Sequence, residues 1–270
     1  MLPAAAGVFH SYATQRTSPN ERGAGQVWTA CDGANVTLVH DVASRALVAT
    51  LPVPPQVAAV GGVPHDTTAT RDHGYVTFKG ARDGYGYVVA YSIRNNYTDM
   101  GTLRTAADPH VAVADANTIV VAAQGGTVFT ADPCLMSRLT VDTSQPSPHG
   151  LGAAPSGAAW YVTNIAEGGK DGLITYTAPQ AGRRPSVIVR PACGGPLNTT
   201  VAVPHNVAVS GDGRWVAISH SGAASTTVGV WKVGADRCVV AGSEVLVQTA
   251  GNPFGIAVFG GGMRSAGRAG

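Results

Sequence analysis

Four histidines of this 270-residue chain stand directly behind a proline: His65 in "VPHD", His110 in "DPH", His149 in "SPHG" and His205 in "VPHN". Imidazole is a common ligand for first-row metals, and it changes charge near neutral pH. If the fold brings one repeated position together, His65, His110, His149 and His205 would form a transition-metal site for zinc, copper or iron. The next positions add a second layer. Asp66 and Asn206 are polar where the other repeats carry Val111 and Gly150, and such groups can orient an imidazole or hold a ligand. The competing use is structural. Proline fixes φ where a strand begins, and each histidine could then clip one repeat to the backbone of the next. Strand parity favours the clip, because the positions two and four along from each histidine are mostly apolar and the rings would lean away from a common centre.

The elements that must position these rings follow from the spacing. The histidines recur 45, 39 and 56 residues apart, and Phe254 in "NPFGIAV" falls 49 residues after the last. That is the period of a four-stranded propeller blade. After each Pro-His comes an apolar strand, a tight turn and a second strand, as in "VAVA-DAN-TIVVAA" and "NVAVS-GDG-RWVAIS". Third strands follow in "GYVVAYSI", "GTVFTAD", "GLITYTA" and "VGVWKV", and fourth strands in "MGTLRTA", "SRLTVD", "SVIVRP" and "SEVLVQT". The expected fold is therefore all-β: a single closed β-propeller of four-stranded blades.

The chain ends complete the expectation. Residues 26–53 read as the second, third and fourth strands of a blade, and residues 252–259 as a first strand without the rest. Pairing the C-terminal strand with the N-terminal ones would close a five-bladed ring and remove its exposed edges; a strand in "GVFHSYAT" would leave room for a sixth blade. Residues 1–25 are expected as an N-terminal arm, 26–260 as the propeller and 261–270 as a flexible tail. In a propeller the first strands line the axis, so the Pro-His positions would ring the mouth of the channel.

The segment "AAWYVTN" contains Tyr161-Val162-Thr163-Asn164, and with "VPHNVAVSGDGRWVAIS" it resembles the YVTN-type repeat of lactonase-like β-propellers. The resemblance spans roughly residues 26–260. It implies the propeller fold, which in such families more often has seven blades, and it is compatible with enzymes, cell-surface proteins and scaffolds alike.

Composition narrows the partners. A net charge of +2 without a block of like charges leaves no footprint for nucleic acid. No apolar run is long enough for a membrane span, and the N-terminus lacks the pattern of a secretion signal. Asn-x-Thr triplets at Asn35, Asn96 and Asn198 lean toward a secreted or particle-surface location. Asn35 is expected within a strand, the other two in loops.

Enzyme signatures are sparse. Glu21, Glu167 and Glu244 are the only glutamates, and no Gly-x-Ser-x-Gly elbow occurs. The pairs His40-Asp41 and Asp72-His73 are expected as surface groups. Cys193 and Cys238 hold equivalent places in adjacent repeats, and a disulfide between them requires Cα atoms within about 7 Å. The expected function is a binding or scaffolding module for a protein or small-molecule ligand at the channel mouth. The alternative is a lactonase-like hydrolase or a metal-dependent oxidoreductase using the histidine ring.

Overall fold

The computed structural model describes residues 8–13, 25–115, 117–165, 171–177, 190–191, 193–222, 225–251, 253 and 256. They form five four-stranded antiparallel sheets, each made from strands consecutive in the chain. The first holds β1 (Val8–Ala13), β2 (Gln26–Cys31), β3 (Val36–Asp41) and β4 (Leu47–Pro52); the second holds β5 (Val63–Ala69), β6 (His73–Lys79), β7 (Gly86–Ser92) and β8 (Thr98–Thr105). The third holds β9 (Pro109–Asp115), β10 (Thr118–Ala123), β11 (Thr127–Ala131) and β12 (Arg138–Asp142). In the fourth are β13 (Pro148–Ala153), β14 (Ala159–Asn164), β15 (Leu173–Thr177) and β16 (Arg190–Pro191), and in the fifth β17 (Pro204–Val209), β18 (Trp215–His220), β19 (Thr227–Lys232) and β20 (Val245–Gln248). Among the described residues no helix is long and apolar enough to cross a membrane.

One expectation is corrected at the N-terminus. Residues Val8–Ala13, assigned from sequence to an arm, form a strand that pairs with β2 through Ser11↔Thr29 and Tyr12↔Trp28. This strand holds the place beside β2 that the shared-blade reading gave to residues 252–259, and it joins the first sheet without starting another. Of that C-terminal segment, all but Pro253 and Ile256 lies outside the described residues. The strand formers Val8, Phe9 and Tyr12 were legible, but no Pro-His marks this strand and a long connection separates it from β2.

The central strands are short apolar runs buried on both faces, which is the burial that sheet-on-sheet stacking demands. Every described side chain of β10, "TIVVAA", and of β14, "AWYVTN", is buried. Four apolar clusters lie between consecutive sheets. Trp28 and Val39 meet Val76 and Phe78; Tyr75 and Val88 meet Val121 and Phe129; Val120 and Val128 meet Trp160 and Tyr176; and Tyr161 and Leu173 meet Ile218 and Trp231. Buried hydroxyls then bond across the same seams, as buried polar groups must. Tyr75 donates to the Pro133 carbonyl at 3.1 Å and Tyr161 to that of Arg237 at 3.0 Å.

The Pro-His positions are where the ladders break. Register shifts fall between Pro64 and Thr67, Pro148 and Leu151, and Pro204 and Val207, so the histidine and its successor lie in a bulge in three of the five sheets. A bulge re-aims a side chain. It leaves backbone groups unpaired, and side chains of the second strand replace the missing bonds: the Asp66 N–H donates to the Thr77 hydroxyl at 3.0 Å and the Asn206 N–H to the Ser219 hydroxyl at 3.2 Å. In the fourth sheet the Thr163 hydroxyl donates to the His205 carbonyl at 2.6 Å, tying two sheets together. Gly150 must be glycine there, because a Cβ would stand 1.7 Å from the His205 oxygen.

A disulfide joins Cys193 to Cys238, with Cα atoms 5.4 Å apart. It links the connection that precedes β17 to the loop after β19. Closing a loop with a sequence separation of 45 residues restricts the unfolded chain. Replacing both cysteines by serine should therefore lower unfolding free energy by roughly 4 kcal/mol. Denaturant melts of the double variant and of reduced wild type check this, and equal midpoints for oxidised and reduced protein would contradict it.

Candidate metal and ligand site

All four histidines come together, His65, His149 and His205 from bulges and His110 from an unbroken stretch of ladder. Each is nearly sealed from water, at 1–3% exposure. Ring centroids lie 4.7 Å apart for His65 and His110, 4.0 Å for His110 and His149, and 4.3 Å for His149 and His205, all edge to face. The parity argument for rings leaning apart is thus corrected, because it assumed an unbroken pleat at His65, His149 and His205. The rings also contact one another directly. His65 Nε2 faces His110 Nε2 at 3.1 Å, and His149 Nε2 faces His205 Nε2 at 2.9 Å.

Carboxylates and an amide complete the arrangement. Asp66, buried beside His65 in the chain, places Oδ2 3.2 Å from His110 Nδ1 and accepts the Val111 N–H with the same oxygen at 3.2 Å. Its other oxygen accepts the Thr67 N–H at 2.8 Å. Asp66 therefore orients an imidazole, one of the two roles foreseen for it. It fixes His110 as the Nδ1–H tautomer and turns the Nε2 lone pair toward His65. Asn206 is buried in the β17 bulge, anchored through its backbone N–H.

Two members of the cluster were not anticipated as site residues. Asp108 has a φ of 48°, a left-handed conformation that aspartate tolerates better than most residues. Its Oδ1 lies 2.9 Å from His65 Nε2 and its Oδ2 3.9 Å from His149 Nδ1. Gln124, just past the end of β10, reaches His149 Nδ1 at 2.8 Å. Both had a weak signal. Asp108 is the one acid standing before a Pro-His, and antiparallel pairing puts the end of every second strand at the Pro-His end.

Among the described residues, His65, Asp108 and His110 offer ligand-type atoms that lie within 4.8 Å of one another. Asp108 thus joins two of the four expected ligands, while His149 and His205 form an adjoining pair.

The electrostatics follow from burial. Burial pushes the Asp108 carboxyl up, but the hydrogen bond and charge of His65, with His110 and His149, outweigh it and hold the group well below the usual carboxylate range. Burial, followed by the neighbouring His110 and His205, depresses His149 far below the ordinary imidazole value. His205 is pushed down to about 4, first by burial and then by His65 and Lys79, against the opposing pull of Asp108 and Asp66. His149 and His205 are consequently neutral at pH 7, the protonation state that metal ligation requires.

The remaining sequence candidates lie apart. Asp41 caps its own turn by accepting the Ser44 N–H and hydroxyl, each at 2.7 Å, and Asp72 pairs with Arg94 on the surface. Glu167 is outside the described residues. Asn35, Asn96 and Asn198 are all exposed. Asn35 lies in the β2–β3 turn with φ of 54°, which corrects its placement within a strand.

No protein-family model matches the chain, and no curated protein matches it in sequence. Solved structures do. A functionally unknown protein from Desulfotomaculum acetoxidans is similar with a TM-score of 0.61 and 13% identity, over 80% of this chain and 64% of that one. Hydrazine synthase from Kuenenia stuttgartiensis is similar with a TM-score of 0.61 and 16% identity, over 93% and 70%. A Bacteroides uniformis protein provisionally assigned as a 6-phosphogluconolactonase gives 0.59 and 16%, over 85% and 70%. This chain spans about two thirds of their length. At these identities the likeness establishes a lactonase-like, propeller-like fold and nothing about activity.

The depressed His205 makes stability depend on pH. An unfolded histidine takes up a proton near pH 6.5, whereas the folded one resists down to about 4. The unfolded state therefore binds more protons in this window, and stability falls as pH drops through it, by up to roughly 3 kcal/mol from this residue. In chelator-treated protein, His205→Gln should flatten the slope of denaturant midpoint against pH between those limits. A slope unchanged by the substitution would contradict the assignment.

Proposed function

We propose that the five sheets are the blades of a closed five-bladed β-propeller and that the protein is a binding module with a metal-centred site at the mouth of its channel. The observation that carries this reading is the convergence of His65, Asp108 and His110 ligand atoms within 4.8 Å, next to the His149–His205 pair. Two neutral-capable imidazoles and an ionised carboxylate make a donor set suited to a divalent transition ion. Asp66 supplies the outer hydrogen bond that metal-bound histidines commonly make. Asn206, at the same repeat position, is a candidate ligand contact. The partner is a protein or small-molecule ligand carried at that mouth, and the disulfide favours an oxidising, secreted or particle-surface setting.

A second reading is hydrolysis. It draws on the likeness to the provisionally assigned 6-phosphogluconolactonase, with Asp108 as the ionised group nearest solvent, at 22% side-chain exposure. Elemental analysis after dialysis, together with assays on sugar lactones, separates the two.

The metal reading predicts near-stoichiometric transition metal in wild type and a loss of at least tenfold in occupancy for His110→Ala and Asp108→Ala, with lactone turnover absent. Metal-free wild type that cannot be reloaded would overturn it. Lactone hydrolysis abolished by Asp108→Asn in such a protein would establish the hydrolase instead.

A further inference from the structure

We infer that this centre takes a six-coordinate divalent ion such as iron(II), manganese(II) or cobalt(II), held by His65 Nε2, His110 Nε2 and an Asp108 oxygen, with the remaining positions open to water or an anionic oxygen ligand. The inference rests on the metal-centre reading above and concerns the geometry and ligand class of that same site.

Donor spacing distinguishes coordination geometries. With metal–ligand bonds of about 2.1 Å, donors at adjacent corners of an octahedron are about 3.0 Å apart, whereas those of a tetrahedron are about 3.4 Å apart. His65 Nε2 lies 3.1 Å from His110 Nε2 and 2.9 Å from Asp108 Oδ1. Both distances lie nearer the octahedral edge than the tetrahedral one. Two histidines and one carboxylate are the donor set of non-haem iron(II) centres.

Proton counting points the same way. His65 Nε2 has one hydrogen at most, yet it stands within bonding distance of two acceptors: the Asp108 carboxylate and His110 Nε2, since Asp66 holds the His110 proton on Nδ1. One hydrogen cannot lie well on both lines. A cation among the three donors satisfies all of them.

The open face is placed by burial. The four imidazoles are almost fully enclosed, while Asp108 keeps 22% of its side chain exposed. A ligand approaching the ion therefore arrives past Asp108. A divalent ion against one carboxylate keeps net positive charge, which favours an anionic oxygen donor.

The test uses the full-length protein stripped with chelator and titrated anaerobically with cobalt(II), then separately with iron(II). Six-coordinate cobalt(II) should give the weak visible absorption of an octahedral ion, and Asp108→Ala should raise its Kd at least tenfold while circular dichroism and denaturant midpoint show a folded protein. The iron(II) form should bind nitric oxide and give the electron paramagnetic signal of a high-spin iron–nitrosyl, which requires an open position. Intense tetrahedral cobalt bands would overturn the six-coordinate inference while leaving a metal centre in place, and so would an iron form inert to nitric oxide. Failure of a folded protein to bind either metal would overturn the metal centre itself.

Discussion

Only one proton fits between two imidazole nitrogens that face each other at hydrogen-bond distance. This protein imposes that constraint twice within a few ångströms, in a space almost closed to water. The contacts His65–His110 and His149–His205 cannot be held by charge on both partners, because like charges at such range in a poorly solvated interior repel too strongly. At most one ring of each pair can therefore carry a charge. The surrounding structure bears on that choice: Asp66 selects the tautomer of His110, Gln124 meets Nδ1 of His149, and Asp108 brings a carboxylate beside His65.

The sheets make the constraint achievable. Stacked sheets place successive Pro-His segments side by side, and His110 reaches the others from an unbroken stretch of ladder, whereas the other three histidines are re-aimed. The bulges re-aim them, and the hydroxyls of Thr77 and Ser219 occupy the backbone donors that the bulges release. The motif residues of the fourth sheet act in the same way. Tyr161 fastens that sheet to the next, Thr163 holds the His205 carbonyl, and Asn164 accepts the Ser147 N–H at 3.1 Å just ahead of Pro148 and His149. A stretch that reads as a fold signature thus also shapes the site.

Much of this was legible in the sequence because it depends on period. The recurrence of Pro-His, the apolar runs of β10 and β14, and the equivalent placement of Cys193 and Cys238 each follow from repetition along the chain. What escaped depends on local departures from the repeat. A bulge changes which face a side chain takes without changing the residue pattern, so parity gave the wrong direction for His65, His149 and His205. Asp108 enters through a left-handed backbone turn, a conformation the sequence does not spell out for aspartate. Gln124 enters through the antiparallel return of a neighbouring strand, a through-space relation that needs the sheets to be stacked first. The N-terminal strand was missed for the opposite reason: it carries strand-forming residues but lacks the punctuation that marked the others.

The central claim is that the Nε2 lone pairs of His65 and His110 converge on a cation position beside Asp108. Long-range proton–nitrogen NMR of the imidazoles tests it most directly, because it reports which ring nitrogen carries a proton and which binds metal. The account predicts that chelated protein shows His110 protonated at Nδ1 and bare at Nε2, and that one equivalent of a diamagnetic divalent ion shifts Nε2 of both His65 and His110 while the His110 Nδ1 proton stays in place. A proton on His110 Nε2, with both rings unmoved by added metal, would contradict it.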